Sequence, residues 1–118
     1  MDKPTPEELQ LLHDELCSAL NDTTRIAILY ELADGARNVG AMVESLGLPQ
    51  GTVSRHLKVL RERGVVIATR QANQVLYELG DPRVLEVLGV MRDMLADSLR
   101  LRGETAARIQ SARKGTRR

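Results

Sequence analysis

The sequence of 118 residues contains no tryptophan, no phenylalanine and only two tyrosines. Its core must therefore consist of leucine, valine, isoleucine, alanine and methionine, a composition that favours packed helices. No segment approaches the roughly 20 apolar residues that span a bilayer. The opening MDKPTPEELQ also has neither the cationic start nor the apolar run of a signal peptide. We therefore expect a cytoplasmic domain that does not associate with membranes.

Residues that carry chemistry are also scarce. Cys17 is the only cysteine, so no intrachain disulfide can form, and the two histidines supply few further metal ligands. There is no glycine-rich phosphate loop and no paired-acid motif from which an active site could be assembled. These absences predict a protein that is not an enzyme and that holds no cofactor or metal ion.

The formal net charge is only +1, but the charged residues are distributed unevenly along the chain. Met1–Glu31 contains seven acidic and two basic residues, whereas Gly51–Val75 contains five basic residues and one acidic residue. Residues 105–118 contain five basic residues and no acidic one, and we expect them to form a disordered tail after a domain over residues 1–104. A polyanion responds to the local field, so the basic middle is a candidate nucleic-acid surface.

Leucines at spacings of three and four predict an amphipathic first helix that ends near Asn21. These leucines are Leu9, Leu12, Leu16 and Leu20. Asp81 and Pro82 predict the start of a long last helix with a similar apolar stripe, which we expect to end near Arg102. A lone compact domain could not cover both stripes, so the first and last helices are candidate dimerisation elements.

The middle of the chain predicts a helix-turn-helix followed by a hairpin. Asp22 can cap a second helix, and Asn38 can cap a third that ends at Gly47. The short connection GLP, typical of a helix-turn-helix, leads to a fourth helix that begins at Pro49 or Gln50. The runs VVIATR and QVLYEL then predict two paired strands. The expected fold class is mainly α with a small β-hairpin, in the order α-α-α-α-β-β-α of a winged helix-turn-helix.

The fourth helix is the candidate recognition helix. Its predicted core-facing residues are Val53, Leu57 and Leu60. A helical wheel then turns outward Gln50, Gly51, Ser54, Arg55, Lys58 and Arg61. The second helix of a helix-turn-helix enters the major groove N-terminus first. Gln50 and Arg55 are long enough to reach base edges, whereas Thr52, Ser54 and Lys58 can hold phosphates together with the helix N-terminus.

The hairpin supplies a second candidate contact with DNA. Its polar residues, expected to touch the DNA backbone or the adjacent minor groove, are Arg70, Gln71, Asn73 and Gln74. An alternative is that the winged helix is an adaptor for other proteins and that its basic face binds acidic partners. Salt-dependent binding that distinguishes one DNA sequence from another would favour the first interpretation over the second.

The order of elements, together with TVSRHLKVLRERGVV and DTTRIAIL, resembles the ArsR/SmtB family of bacterial winged helix-turn-helix repressors. The resemblance covers roughly Glu15 to Arg100, and VSRHLKVLRERGVV is its most specific part. It implies a homodimer, paired through the first and last helices, that binds a palindromic operator in double-stranded DNA and blocks transcription. A small-molecule or redox effector is not identified by the sequence.

The sequence departs from the family pattern in three places. Pro49 and Gly51 stand where small hydroxyl residues are usual in the family. Ala72 and Asn73 occupy the tip of the wing, where an Asp-Gly pair is common, and we expect Asn73 to adopt the left-handed conformation. The family's familiar metal sites use paired cysteines near the third helix or an aspartate and histidine set on the last helix, and both are absent here.

Cys17 and His13 form the only candidate sensing pair. They are four residues apart, so a helix places them on one face with Asp14 nearby. We expect Cys17 to pack beside the apolar stripe, because free cysteines are commonly buried. The alternatives are thiol sensing and zinc ligation across a dimer axis. We also expect His56 to be a structural residue bonded to backbone, rather than a reader of bases.

Overall fold

The structure, a computed structural model, describes the backbone of residues 1–116 and the side chains of residues 1–105 and 107–112. Its contacts divide the chain into an N-terminal unit, Met1–Leu85, and a C-terminal unit, residues 86–118. The order of elements confirms the predicted fold class, which is mainly helical with one antiparallel hairpin. The elements are α1 (Pro6–Leu11), a π-helical segment (Leu12–Cys17), α2 (Thr23–Glu31), α3 (Val39–Leu46), α4 (Gln50–Glu62), β1 (Val66–Gln71), β2 (Gln74–Leu79) and α5 (Arg83–Thr116).

The first helix differs from the uniform α-helix that its leucine spacing predicts. The hydroxyl of Thr5 caps α1, but α1 ends after six residues and continues as the π-helical segment. The hydroxyl of Ser18 donates to the carbonyl of Asp14, and the backbone N–H of Ser18 donates to His13 one residue further back, at 2.8 Å. This competition by a serine side chain is the physical reason for the wider turn.

Side-chain caps at the predicted positions start α2 and α3. The carboxylate of Asp22 accepts from the backbone N–H groups of Thr24 and Arg25 at 2.8 and 3.2 Å. The amide oxygen of Asn38 accepts from the backbone N–H of Ala41 at 2.8 Å, and α3 ends at Gly47 with a φ of 66°. The sequence therefore predicts the beginnings of both helices correctly.

The core of the N-terminal unit is aliphatic, as the absence of large aromatic residues requires. It is built from residues on α2, α3, α4 and the start of the hairpin, and α2, α3 and β1 all pack against α4. Its largest fully buried side chains are Ile28, Leu29, Met42, Val53, Leu57, Leu60 and Val66. This core holds α4 along one face only and leaves the opposite face to solvent.

The hairpin pairs β1 with β2 in a register that runs from Val66 opposite Leu79 to Gln71 opposite Gln74. A further bridge, which has no sequence pattern of its own, joins Arg37 to Tyr77. The two residues exchange backbone hydrogen bonds at 2.9 and 2.8 Å. Because Arg37 comes just before α3, this bridge attaches the hairpin to the start of the helix-turn-helix.

The last helix is longer than the sequence suggests. The sequence predicts an end near Arg102, whereas α5 extends to Thr116. The extension contains alanine, arginine, glutamate and glutamine, which are strong helix formers, and no proline interrupts it. The boundary at residue 104 stays a prediction, and Arg117 and Arg118 of the predicted tail lie outside the described residues. Within residues 1–116, no helix is long and apolar enough to cross a membrane.

Candidate nucleic-acid interface

The candidate recognition helix has the buried and exposed faces that its sequence predicts. Val53, Leu57 and Leu60 are at most 1% exposed. The solvent face carries Gln50, Gly51, Ser54, Arg55, Lys58 and Arg61, all exposed, with Thr52 half-buried beside them. The polar face of α4 is therefore not packed against the rest of the N-terminal unit.

The N-terminus of α4 is open. Pro49 occupies the capping position and supplies no side-chain hydrogen bond, although its carbonyl accepts from Thr52 and Val53 at 3.1 Å each. A Cβ atom placed on Gly51 would meet no other atom within 4 Å. Uncapped N–H groups at a helix start attract anions, and the missing side chain at Gly51 leaves space in front of them.

The cations on this surface are not neutralised by neighbouring carboxylates. Among the described residues, no acidic oxygen lies within 4.0 Å of the cationic groups of Arg55, Lys58, Arg61 or Arg70. Arg63, at the end of α4, differs because it pairs with Glu15 of the π-helical segment at 3.7 Å. A set of exposed, unpaired cations presents a positive field to an approaching polyanion.

The wing places its polar residues at the tip of the hairpin. These residues, Arg70, Gln71, Asn73 and Gln74, are all exposed. Our expectation for the turn was wrong in one respect, since Ala72 and not Asn73 has the left-handed conformation, with a φ of 54°. Gln71 and Gln74 pair across the turn, which leaves two residues in the loop. A two-residue hairpin loop favours positive φ at its first position, and that position is Ala72.

Two side chains make contacts that support this surface and that the sequence does not predict. The amide nitrogen of Asn38 donates to the side-chain oxygen of Gln74 at 2.8 Å, so the start of α3 is bonded to the wing. Arg25 of α2 donates to the Nδ1 atom of His56 on α4 at 3.2 Å. His56 is therefore structural, as expected, but its partner is a side chain and not the backbone.

The candidate sensing pair does not have the predicted packing. Cys17 is exposed, and Leu16 beside it is 49% exposed, so this face forms no core in the single chain. His13 is exposed too, and its Nδ1 atom lies 2.9 Å from the carboxylate of Asp14. The hydrogen bond with His13, and then one from Gln10, lowers the pKa of Asp14. Among the described residues, no three histidine, cysteine or acidic side chains are grouped to hold a metal ion.

The chain matches the model of the bacterial regulatory protein, arsR family, over residues 22–68. It is 39% identical over 85 residues to the HTH-type transcriptional repressor SmtB of Mycobacterium tuberculosis. That match covers 72% of this chain and 63% of the repressor, so the chain spans less than two thirds of its length. It is also 36% identical over 110 residues to the HTH-type transcriptional regulator Rv0081 of M. tuberculosis, a match that covers 92% of this chain and 94% of Rv0081.

Solved structures agree with these sequence matches. The crystal structure of Rv0081 gives a TM-score of 0.72 and covers 84% of this chain and 98% of that one. The solution structure of the homodimeric winged helix-turn-helix DNA-binding domain of Mb0332 from Mycobacterium bovis is 26% identical, with a TM-score of 0.69. It covers 84% of this chain and 94% of its own. The chain thus belongs to the arsR family of bacterial regulatory proteins.

Proposed function

We propose that the protein is a dimeric repressor that reads a palindromic operator in double-stranded DNA with α4. The observation that supports this most directly is the exposed polar face of α4, where unpaired cations adjoin an uncapped helix N-terminus. This combination suits a helix that enters the major groove N-terminus first and holds the phosphates on either side. A regulator that acts on chromosomal DNA would work in the cytoplasm of a bacterium.

We assign different roles to the residues of this surface. Gln50 and Arg55 would read base edges, since a glutamine pairs with adenine and an arginine with guanine in two-bond arrangements. The helix residues that would contact phosphates are Thr52, Ser54, Lys58 and Arg61, with Gly51 permitting close approach. The wing residues that would contact the backbone or the minor groove are Arg70, Gln71, Asn73 and Gln74. Phosphate contacts set the affinity and position, and base contacts set the sequence preference.

The proposed dimer rests on apolar side chains that each unit leaves exposed. In the N-terminal unit these are Leu9, Leu11, Leu12 and Leu16, and in the C-terminal unit they are Val87, Val90, Met91, Met94, Leu95 and Leu99. Exposed apolar residues in such number mark an interface. The homodimeric state of the similar Mb0332 domain supports a second copy of this chain as the partner.

Substitutions on α4 test the proposed roles. The wild-type protein first selects a DNA duplex from a random pool, here called the enriched duplex, and the binding of each variant to that duplex is then measured. Arg55→Ala should cost about 1–3 kcal/mol of binding free energy on that duplex and relax one base preference. Lys58→Ala should weaken binding to every duplex similarly and reduce the salt dependence by about one phosphate contact. Equal losses for both variants on enriched and random DNA would contradict the assignment. Failure to enrich any duplex would instead favour a protein-binding adaptor.

The exposure of Cys17 supports a second candidate property, a response to oxidants or persulfide. Each subunit has one cysteine, so any reaction that joins two thiols would need a partner subunit or a small thiol. Footprinting of the enriched duplex with and without hydrogen peroxide, persulfide or divalent metals, repeated with Cys17→Ser, tests this property. The variant His13→Gln tests whether His13 takes part. An unchanged footprint under every treatment would show that the protein does not respond through Cys17 and His13.

A further inference from the structure

Arg25 connects three parts of the N-terminal unit with a single guanidinium group. Its Nε atom donates to the carbonyl of Ala19 at 2.8 Å, and its Nη2 atom donates to the carbonyl of Ser18 at 3.0 Å. Its Nη1 atom lies 3.2 Å from Nδ1 of His56 on α4. The chain that follows the π-helical segment is therefore bonded, through one residue of α2, to the candidate recognition helix.

The contact with Arg25 determines the tautomer of the neutral His56 ring. An arginine side chain has only donors, so Nδ1 of His56 must be the acceptor and must carry no proton. The proton of the neutral ring is then on Nε2, which lies 3.9 Å from the carboxylate of Asp22. The side chain of His56 is only 16% exposed, so water cannot readily replace Arg25 as its partner.

The two charged groups that face His56 would respond in opposite ways to its protonation. Arg25 is nearer and would meet a second donor and a like charge, whereas Asp22 is farther and would be attracted. The carboxylate of Asp22 already accepts two backbone hydrogen bonds at the start of α2 and cannot move freely to the ring. Among the described residues, no group from α3 or β1 bonds to His56. A ring protonated on both nitrogens has no lone pair left to accept the hydrogen bond from Arg25, even though Asp22 attracts it.

A second contact joins the same two regions at the other end of α4. Glu15 of the π-helical segment pairs with Arg63 at 3.7 Å, about two helical turns beyond His56. This pair is partly exposed, with side-chain exposures of 48% and 37%, so it is the weaker of the two connections. The bond between Arg25 and His56 is the less exposed of the two, and it lies in the same stretch of α4 as the base-reading candidate Arg55.

We propose that Arg25 and His56 are positioning residues that hold α4 in its DNA-binding orientation, and that protonation of His56 releases α4 and weakens operator binding. The inference rests on the proposed function of α4. His56 itself touches no DNA in this scheme, because it lies between α4 and α2. Binding should be strongest with a neutral ring and should weaken when the ring takes up a second proton.

The direction of this pH dependence distinguishes the proposal from ordinary electrostatics. Protonation adds positive charge to a protein, and added positive charge strengthens the attraction to phosphates. The proposal requires the opposite, a loss of about tenfold in affinity for the enriched duplex between pH 7.5 and pH 5.5. His13 is exposed and does not contact α4, so His13→Gln is the matched control and should keep the loss.

Substitutions at the two positions separate positioning from simple stability. His56→Asn places an amide oxygen near the position of Nδ1, so it keeps an acceptor for Arg25 but cannot be protonated in this range. This variant should bind the enriched duplex like wild type at pH 7.5 and should show no loss of affinity at pH 5.5. His56→Gln places its amide near Nε2 instead and should bind about tenfold more weakly at both pH values. Arg25→Lys lacks the planar guanidinium and should weaken binding about as much as His56→Gln does. Arg37→Lys changes the separate pair with Glu31 and should not weaken binding.

An experiment without DNA tests the contact itself. Nitrogen NMR of the wild-type histidine rings at pH 7.5, assigned with His13→Gln, should show the Nε2–H form of His56. The Nδ1–H form would overturn the proposal, and so would equal pH profiles for wild type and His56→Asn on the enriched duplex. Failure to enrich any duplex would overturn the proposed function and this inference together. Enrichment followed by equal profiles would overturn only the inference.

Discussion

Asn38 joins the start of α3 to the tip of the wing through the two ends of one amide group. Its oxygen accepts from the backbone N–H of Ala41, and its nitrogen donates to the side chain of Gln74, both at 2.8 Å. The backbone bridge between Arg37 and Tyr77 lies beside this bond. The wing is thus attached to the helix-turn-helix at the residue that caps its first helix.

Asn38→Ser should separate the capping role of this residue from its role at the wing. A serine hydroxyl caps a helix about as well as an asparagine, but it is too short to reach Gln74. We expect the free energy of unfolding to change by less than about 0.5 kcal/mol. Hydrogen exchange at the tip of the wing should become faster, and affinity for the enriched duplex should fall a few-fold. Unchanged exchange at the tip would contradict this role of Asn38.

Gly80 lies against the backbone at the point where the hairpin returns to the core. A Cβ atom at Gly80 would lie 2.4 Å from the carbonyl oxygen of Gly64, and the N–H of Gly80 donates to Val65 at 2.8 Å. Because a carbonyl oxygen cannot move aside as a flexible side chain can, Gly80→Ala should destabilise the protein by about 1–3 kcal/mol in urea unfolding.

Gly103→Ala is the matched control for this substitution. Gly103 lies in α5, is exposed, and has no atom within 4 Å of an added Cβ. Alanine is favoured over glycine inside a helix, so this variant should be more stable by about 0.5–1 kcal/mol. A Gly80→Ala protein as stable as wild type would show that the hairpin can shift away from Gly64 without loss.

Ala72 holds a backbone conformation that costs an alanine about 1–2 kcal/mol. Ala72→Gly removes this strain at the wing tip, although glycine also loses more entropy on folding, by about 0.4–1 kcal/mol. We therefore expect a net gain in stability of about 0.5 kcal/mol, measured by urea unfolding. Asn73→Gly, at the neighbouring position without a positive φ, should give no gain. A larger gain at Asn73 would contradict the observed turn.

The elements from α2 to β2 could be predicted because each depends on residues close together in the chain. The caps at Asp22 and Asn38 and the buried stripe of α4 follow from local spacing alone. The bond between Arg25 and His56 could not be predicted, since 31 residues separate them and no periodicity connects them. The partner of Gln74 was missed for the same reason, with a separation of 36 residues.

The errors in the first and last helices have other causes. Leucine spacing predicts an apolar face but does not reveal whether the single chain or a partner covers it, so the burial expected for Cys17 was wrong. The sequence predicts too early an end for α5 because a basic tail with few apolar residues resembles a disordered segment in composition. Helix propensity, which is high across that tail, was the better guide.

Asp22 should make part of the stability of the protein depend on pH. Hydrogen bonds from the backbone N–H groups of Arg25 and Thr24 lower the pKa of its carboxyl below the usual 3.8. A carboxyl whose pKa is lowered in the folded state stabilises the fold fully at pH values above its pKa in the unfolded state. This stabilisation is lost as the pH falls through its pKa in the folded state. The contribution of Asp22 is therefore complete above about pH 5 and disappears in stronger acid.

Asp22→Asn keeps a capping oxygen but removes the charge. Wild type should be more stable than this variant by about 0.3–1 kcal/mol near pH 7, the usual value of an anion at a helix N-terminus. The difference should shrink in urea unfolding as the pH falls below 3.8, the ordinary pKa of this carboxyl. A constant difference below that pH would show that the charge of Asp22 does not stabilise α2.

The proposed dimer predicts that a charge within the apolar stripe of α5 separates the subunits. Met94 is 64% exposed in the single chain, an unusual exposure for a methionine unless a partner covers it. Met94→Glu would place a carboxylate in that otherwise apolar stripe, where its burial is costly. We expect the dissociation constant of the dimer to rise by at least about tenfold in sedimentation, which corresponds to about 1.4 kcal/mol.

Asp97→Asn controls for a change of charge on the same helix, since Asp97 is exposed and pairs with Arg100. This variant should remain dimeric, and both variants should keep the helix content of wild type in circular dichroism. A palindromic operator binds two recognition helices at once. The Met94→Glu protein should therefore also lose most of its affinity for the enriched duplex. It should retain weak binding to a half-site. A wild-type chain that sediments as a monomer at micromolar concentration would remove the basis for a dimer, and α5 would then need a different partner for its apolar side chains.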